Sequence, residues 1–384
     1  MTATELITAL TEHRAITNGV PKQVVNGVPS VKSSASLKDD PLSSKEPIVV
    51  QNVVDDKATP ALNTTSEAAT APVPRVPPSG VWAPAITFFD HSTDTLDTES
   101  QAKYYSYLSK SGLAGLVILG TNAETFLLTR EERKTLVETA RRACGPSYPL
   151  MAGVGGHSTK QVLEFISDAA DAGANYVLLL PPAYFGKQTT PAVIDSFFND
   201  VARESSLPIV IYNFPAVCNG IDLDSATIAR LAKTHDSIVG VKLTCGAVAK
   251  ITRLAAELPA GRFATFGGQS DFLIGGLAAG SAGTIAGFAN VFPKTLVRIY
   301  DLYQQGKFKE AMELHKIAAL AEQPCKAGIA SVKYAAALNT AKAAGIEGAL
   351  DKLKPRRPYV EASEADKRNI EAQVKSLVDI EASL

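Results

Sequence analysis

The sequence predicts an α/β fold: a closed (β/α)8 TIM barrel with a C-terminal helical subdomain and a disordered N-terminal extension. Three observations predict it. Eight short apolar runs recur between residues 81 and 287, their starts roughly 20–35 residues apart. Segments of helical periodicity lie between most of them. The runs are almost continuously apolar rather than alternating, as expected of parallel strands covered by helices on their outer face. Eight such units suit a closed barrel, typically about 250 residues long. A doubly wound open sheet is the structural alternative.

Residues 1–79 are rich in Pro, Ser, Thr, Val and Asn, nearly lack aromatics, and repeat NGVP at 18–21 and 26–29. They have too little to bury to offset the entropy of ordering, so they are expected to be disordered. The first fifteen residues, MTATELITALTEHRA, carry two glutamates and one arginine. Mitochondrial presequences are Arg-rich and acid-poor, so a cytoplasmic location is expected, a mitochondrial one being the alternative. The strands follow as VWAPAITFF (81–89), GLVILG (115–120), PLMAGVG (149–155), YVLLLP (176–181), PIVIYNF (208–214), IVGVKLT (238–244), RFATFGG (262–268) and AGTIAG (282–287). Among the helices, 129–145 opens on Thr129 and Glu132, a capping box, and closes on glycine. Segment 158–173 starts on a capping Ser158 and ends at Gly173, and 223–235 follows the same plan. Residues 80–304 thus form the barrel domain. Amphipathic segments at 307–323, 326–345 and 363–384 make 305–384 a helical subdomain.

Bulk properties narrow the function. Hydrophobic residues make up 46% and charged ones 20%, consistent with a large core. A net charge of -1 gives no reason to expect nucleic acid or an anionic membrane as partner. No apolar run approaches a membrane span. The four cysteines form no CxxC pair, and the five histidines show no HxxxH spacing. Reduced thiols are expected, and the spacing offers no support for a metal site. GVGGHS (153–158) lacks the third glycine of a dinucleotide loop, Ser158 standing there instead.

Active sites of such barrels lie at the C-terminal ends of the strands. GTNAE (120–124), YNFP (212–215), Lys242 with Thr244, and GGQSD (267–271) occupy four of those ends. Lysine is almost never fully buried without a partner or a task. Desolvation disfavours its cation, and a neutral amine attacks carbonyls to form a Schiff base. A structural pairing with a buried carboxylate is the alternative for Lys242. Tyr212, one strand away, is either a proton carrier or a core tyrosine. Thr121, Asn122 and the backbone N–H groups of GTNAE suit a carboxylate, or are ordinary turn chemistry. Glu124 is expected to satisfy loop backbone groups.

Together, GTNAE, YNFP, GVKLT and GGQSD resemble the dihydrodipicolinate synthase / N-acetylneuraminate lyase family over about residues 80–355. The resemblance implies Schiff-base chemistry on a 2-oxo acid, with pyruvate as the common fragment. It makes Lys242 the Schiff-base lysine, Tyr212 the proton shuttle, and Thr121 and Asn122 the carboxylate holders, Thr121 also relaying protons. It puts Tyr184 near an interface tyrosine that reaches a neighbour's active site, so a homo-oligomer, dimer or tetramer, is expected. Ala123 replaces the usual glycine. YNFPAVCNG has Val217 and Cys218 where dihydrodipicolinate synthases carry an arginine for a second carboxylated partner. Thr244 matches a Ser/Thr of 4-hydroxy-2-oxoglutarate aldolases, and Asp271 an acid that sugar-acid-cleaving members place on substrate hydroxyls. The implied activity is cleavage of a 4-hydroxy-2-oxo acid with no metal and no organic cofactor, first 4-hydroxy-2-oxoglutarate to pyruvate and glyoxylate. L-threo-3-deoxy-hexulosonate aldolase, dihydrodipicolinate synthase and a non-catalytic oxo-acid-binding homologue are the alternatives.

Overall fold

The computed structural model describes residues 73–384. Residues 1–72 of the expected extension therefore lie outside the described residues. Residues 73–79, grouped with the extension by composition, are instead held against the barrel. Val73 and Val76 pack on its interior cluster, the Pro74 carbonyl accepts from the Tyr176 hydroxyl, and the Pro78 carbonyl accepts from Trp82 Nε1 at 3.0 Å. Composition missed this because the proline carbonyls, not side chains, supply most of the polar contacts.

The strands are β1 (Gly80–Pro84), β2 (Phe89–Asp90), β3 (Thr95–Leu96), β4 (Gly115–Ile118), β5 (Leu150–Gly153), β6 (Tyr176–Leu179), β7 (Ile209–Asn213), β8 (Ile238–Leu243), β9 (Ala264–Gly267) and β10 (Gly283–Ile285). All but β2 and β3 pair in parallel and close into a barrel; β2 and β3 form a small antiparallel pair. Each predicted apolar run carries one barrel strand. The first stops earlier than its apolar run, because beyond Pro84 the chain turns away and the Ile86 N–H donates to Asn290 Oδ1 at 3.2 Å instead of to a ladder. The capping box forms as expected: Thr129 and Glu132 satisfy each other's N–H groups ahead of helix Arg130–Cys144. Ser158 and Asp224 cap helices Thr159–Asp171 and Ser225–Thr234. Amphipathic faces of these helices bury against the strands, forming the outer core.

Inside the barrel, Trp82, Met151, Tyr176 and Phe266 fill the lower interior. Gly115 makes room for the indole: a Cβ there would lie 2.3 Å from the Trp82 ring. The upper interior is polar, and β8 shows how. Ile209 pairs with Ile238 but Val210 with Gly240, so one step on β7 meets two on β8 and Val239 is extra. Val239 faces the barrel axis, whereas Ile238, Val241 and Leu243 face the helices. Strict alternation from Val239 would turn Val241 inward and Lys242 outward; the bulge reverses the phase and points Lys242 into the mouth.

Helices Pro293–Gln304, Phe308–Glu322, Ile329–Ala336 and Glu364–Ser383 follow the barrel strands. Among the described residues no helix is long and apolar enough to cross a membrane. One contact fixes this C-terminal part to the mouth. Glu124 accepts from Lys333 Nζ at 2.6 Å and from the Arg356 N–H at 2.8 Å, with Lys333 and Glu124 side chains 0% and 2% exposed. Burial pulls the Lys333 ammonium down to about 8 despite its partner. Replacing one member of such a pair strands the other charge, at a cost of about 3–5 kcal/mol. Lys333→Met is therefore expected to lose about that much stability in urea unfolding, and adding Glu124→Gln to recover part of the loss.

Candidate active site

The strand ends at the top of the barrel open into one cavity of about 670 Å³. Lys242 and Tyr212 stand side by side on its wall, because β7 and β8 pair Tyr212 with Lys242. Both are 3% exposed. Lys242 Nζ lies 4.3 Å from the centre of the Tyr212 ring. The buried lysines that have carboxylate partners are Lys250 and Lys333; Lys242 has none among the described residues. The structural pairing considered for it is therefore not what holds it.

Thr121 and Asn122 sit in the 3-10 turn Thr121–Ala123 after β4, and both line the cavity. Thr121 Oγ1 is 3.4 Å from the Tyr212 hydroxyl. The turn is fixed through its end: Glu124 adopts the left-handed conformation (φ 57°), its N–H donates to the Thr121 carbonyl, and its carboxylate is tied to Lys333. The N–H groups of Ala123 and Glu124 are used inside the turn. Those of Thr121 and Asn122 donate to no protein acceptor among the described residues, leaving them for an anion. Glu124 thus has the structural role expected of it.

Thr244 follows Lys242 on the same wall, its Oγ1 buried without a hydrogen-bond partner. Gly268 lets it approach: a Cβ there would lie 2.0 Å from Thr244 Oγ1. A buried hydroxyl without a partner, on a residue that lines the cavity, is a candidate contact for a bound polar group.

Two expected residues stand elsewhere. Asp271 does not border the cavity; it is ion-paired with Lys326, which does. Tyr184 is 75% exposed and borders a second depression with His157 and Phe126. Sequence reasoning also missed part of the wall. Gln269, Glu322, Lys326 and Ile329 line the cavity, three of them from the C-terminal part. Their only signal was GGQSD itself, since nothing in the spacing of the later helices says which face covers the mouth.

Glu322 is almost fully buried, accepting from the Ser270 N–H at 3.2 Å and the Ser270 hydroxyl at 2.6 Å. Burial pushes its carboxyl up from 4.5 to about 7, the nearby Asp271 adding to the rise. The folded protein therefore holds this proton more tightly than the unfolded chain. Its stabilising effect is complete below about 4.5 and is lost as pH rises through about 7. The loss is on the order of 3 kcal/mol. Glu322→Gln is expected to flatten the fall in urea stability between pH 5 and pH 8.

The Dihydrodipicolinate synthetase family profile matches residues 77–377. A Coccidioides immitis protein provisionally named 4-hydroxy-2-oxoglutarate aldolase, mitochondrial, is 66% identical over 312 residues, 81% of this chain and 99% of that protein. The L-threo-3-deoxy-hexylosonate aldolase of Hypocrea jecorina is 37% identical over 319 residues, 80% of this chain and 98% of the other. A crystal structure of a provisionally assigned dihydrodipicolinate synthase family protein from Coccidioides immitis superposes with a TM-score of 0.78 at 64% identity, covering 81% of this chain and 99% of that one.

Proposed function

The chain belongs to the dihydrodipicolinate synthetase family and is an aldolase, a carbon-carbon lyase; from that premise we propose that it cleaves a 4-hydroxy-2-oxo acid to pyruvate and an aldehyde through a Schiff base on Lys242. The observation that carries the proposal is a buried lysine without a carboxylate partner, beside Tyr212 and facing the Thr121–Asn122 turn across one cavity. The first substrate proposed is 4-hydroxy-2-oxoglutarate, giving glyoxylate, in line with the name of the Coccidioides relative.

The steps follow from the positions. The substrate carboxylate sits on the Thr121 and Asn122 N–H groups and side chains. The Lys242 amine, in its neutral form, adds to the C2 ketone, and loss of water leaves an iminium. Tyr212, linked to Thr121, takes the proton of the C4 hydroxyl. The C3–C4 bond breaks: its electrons pass into the enamine, and C4 departs as the aldehyde carbon. Protonation at C3 and addition of water to the iminium release pyruvate and return the amine. Thr244 offers its free hydroxyl to the bound substrate. No step in this scheme draws on a metal or an organic cofactor.

A second reading, L-threo-3-deoxy-hexulosonate giving pyruvate and L-glyceraldehyde, is favoured by the outer wall. There Lys326 is already neutralised by Asp271 and Gln269 adds an amide, a balanced set of donors and acceptors that suits a hydroxylated tail. Val217 on the cavity wall, in place of a cation, argues against dihydrodipicolinate synthase. Pyruvate release from the two 4-hydroxy-2-oxo acids, compared with condensation of pyruvate and aspartate semialdehyde, ranks the three. Borohydride reduction in the presence of pyruvate, followed by peptide mass spectrometry, is expected to mark Lys242; an unmarked Lys242 in folded protein leaves the non-catalytic homologue.

A homo-oligomer, dimer or tetramer, is proposed on the exposed aromatic patch of Phe126, Tyr184 and Phe185, where Tyr184 is free to reach a neighbouring copy. Sedimentation of the full chain tests it, a monomer at micromolar concentration counting against. The cytoplasmic location expected from composition stands against the mitochondrial one in the Coccidioides relative's name, and fractionation of cells decides between them.

A further inference from the structure

Two lysines line the cavity among the described residues, Lys242 and Lys326. Lys242 is assigned above to the ketone, which leaves Lys326 as the cation that the rest of the substrate can meet. The path between them is continuous. Lys242 leads to Thr244, Thr244 packs on Gly268, and the next residue, Gln269, accepts from Lys326 Nζ at 3.1 Å. Lys326 also donates to Asp271 Oδ2. An ammonium has three donors, and these two bonds use two of them. The Lys326 side chain is 30% exposed, so its head is within reach of solvent and ligand. The two acids on the cavity wall are otherwise engaged, Glu124 with Lys333 and Glu322 with Ser270. Asp271 alone therefore competes with an incoming anion for Lys326.

We propose that Lys326 reads the end of the substrate farthest from the ketone, and that its pairing with Asp271 sets how readily the site accepts a carboxylate there. A hydroxylated tail accepts the free ammonium proton with the pair intact. A carboxylate tail must share Lys326 with Asp271, a carboxylate of like charge. Weakening the acid therefore favours the dicarboxylate substrate, and removing the lysine disfavours it. The inference rests on the 2-oxo acid aldolase reading, and its test can fail separately.

Calorimetric binding of 2-oxoglutarate and of 2-oxopentanoate, which share chain length and differ in the terminal carboxylate, gives an affinity ratio for each variant. Asp271→Asn is expected to raise the preference for 2-oxoglutarate about tenfold and Lys326→Met to lower it about tenfold, the scale of one charge-assisted hydrogen bond. Lys326→Arg is expected to keep the wild-type ratio. The kcat/KM ratio for 4-hydroxy-2-oxoglutarate over the deoxyhexulosonate is expected to move in the same directions. A ratio within twofold of wild type in Lys326→Met overturns the proposal, whatever Asp271→Asn does; Lys326→Gln serves if the methionine variant does not fold. Borohydride trapping of pyruvate runs beside it. An unmarked Lys242 in the wild type overturns the aldolase reading, while the affinity ratios still judge Lys326.

Discussion

Lys242→Met is expected to remove pyruvate release altogether while leaving the protein as stable as before, or more so. Loss of a covalent nucleophile costs a rate on the order of a million-fold in enzymes where it has been measured. Stability should move the other way. The wild-type lysine is buried with no carboxylate partner among the described residues, a placement that costs folding free energy. Methionine fills a similar volume without that cost. A gain or no change in thermal midpoint, together with lost turnover and lost borohydride labelling, is the expected set. If the methionine variant instead kept turnover, the lysine would not be the nucleophile. If it unfolded, the site would be an element of the core rather than a functional exception to it.

Tyr212→Phe is the second large effect. The ring supports the Lys242 amine at 4.3 Å and phenylalanine keeps that face. Only the hydroxyl is lost, and with it the link to Thr121 Oγ1 at 3.4 Å. A positioned acid–base group contributes about 10²–10⁴-fold. The loss should fall on kcat, with KM little changed, because the phenol acts on protons in flight rather than on the resting carboxylate. Trapping with pyruvate should still mark Lys242, more slowly. A variant that binds pyruvate poorly but turns over at the normal rate would contradict this division. Thr121→Val breaks the same link from the other side, and it should lower kcat as well as raise KM, since Thr121 also faces the carboxylate.

Much of the barrel is legible in the sequence because each strand is a contiguous apolar run and two helices start on capping residues that read correctly, Thr129 and Ser158. The inner site is legible for the same reason. Lys242 and Tyr212 are polar exceptions inside apolar strands, and Thr121 and Asn122 are a short polar break after one. The outer wall was not. Lys326 and Glu322 lie in segments whose charges look like an ordinary solvated helix face, and only the fold turns that face over the mouth. The placement of Asp271 follows the same logic: sequence puts it at a strand end, but Lys326 draws its carboxylate aside. Nor does the sequence announce the Lys333–Glu124 pair, whose members are 209 residues apart.

The bulge in β8 carries a consequence for variation in this chain. Lys242 keeps its place through one-to-one pairing of Gly240–Leu243 with Val210–Asn213, and the bulged Val239 stands outside that pairing. Removing Val239, the extra residue, would leave Ile238 outward, Gly240 inward, Val241 outward and Lys242 inward, with Tyr212 still opposite Lys242. The bulge residue is slack in the strand, so a single-codon deletion at Val239 is expected to keep turnover, which pyruvate release by the deletion variant checks.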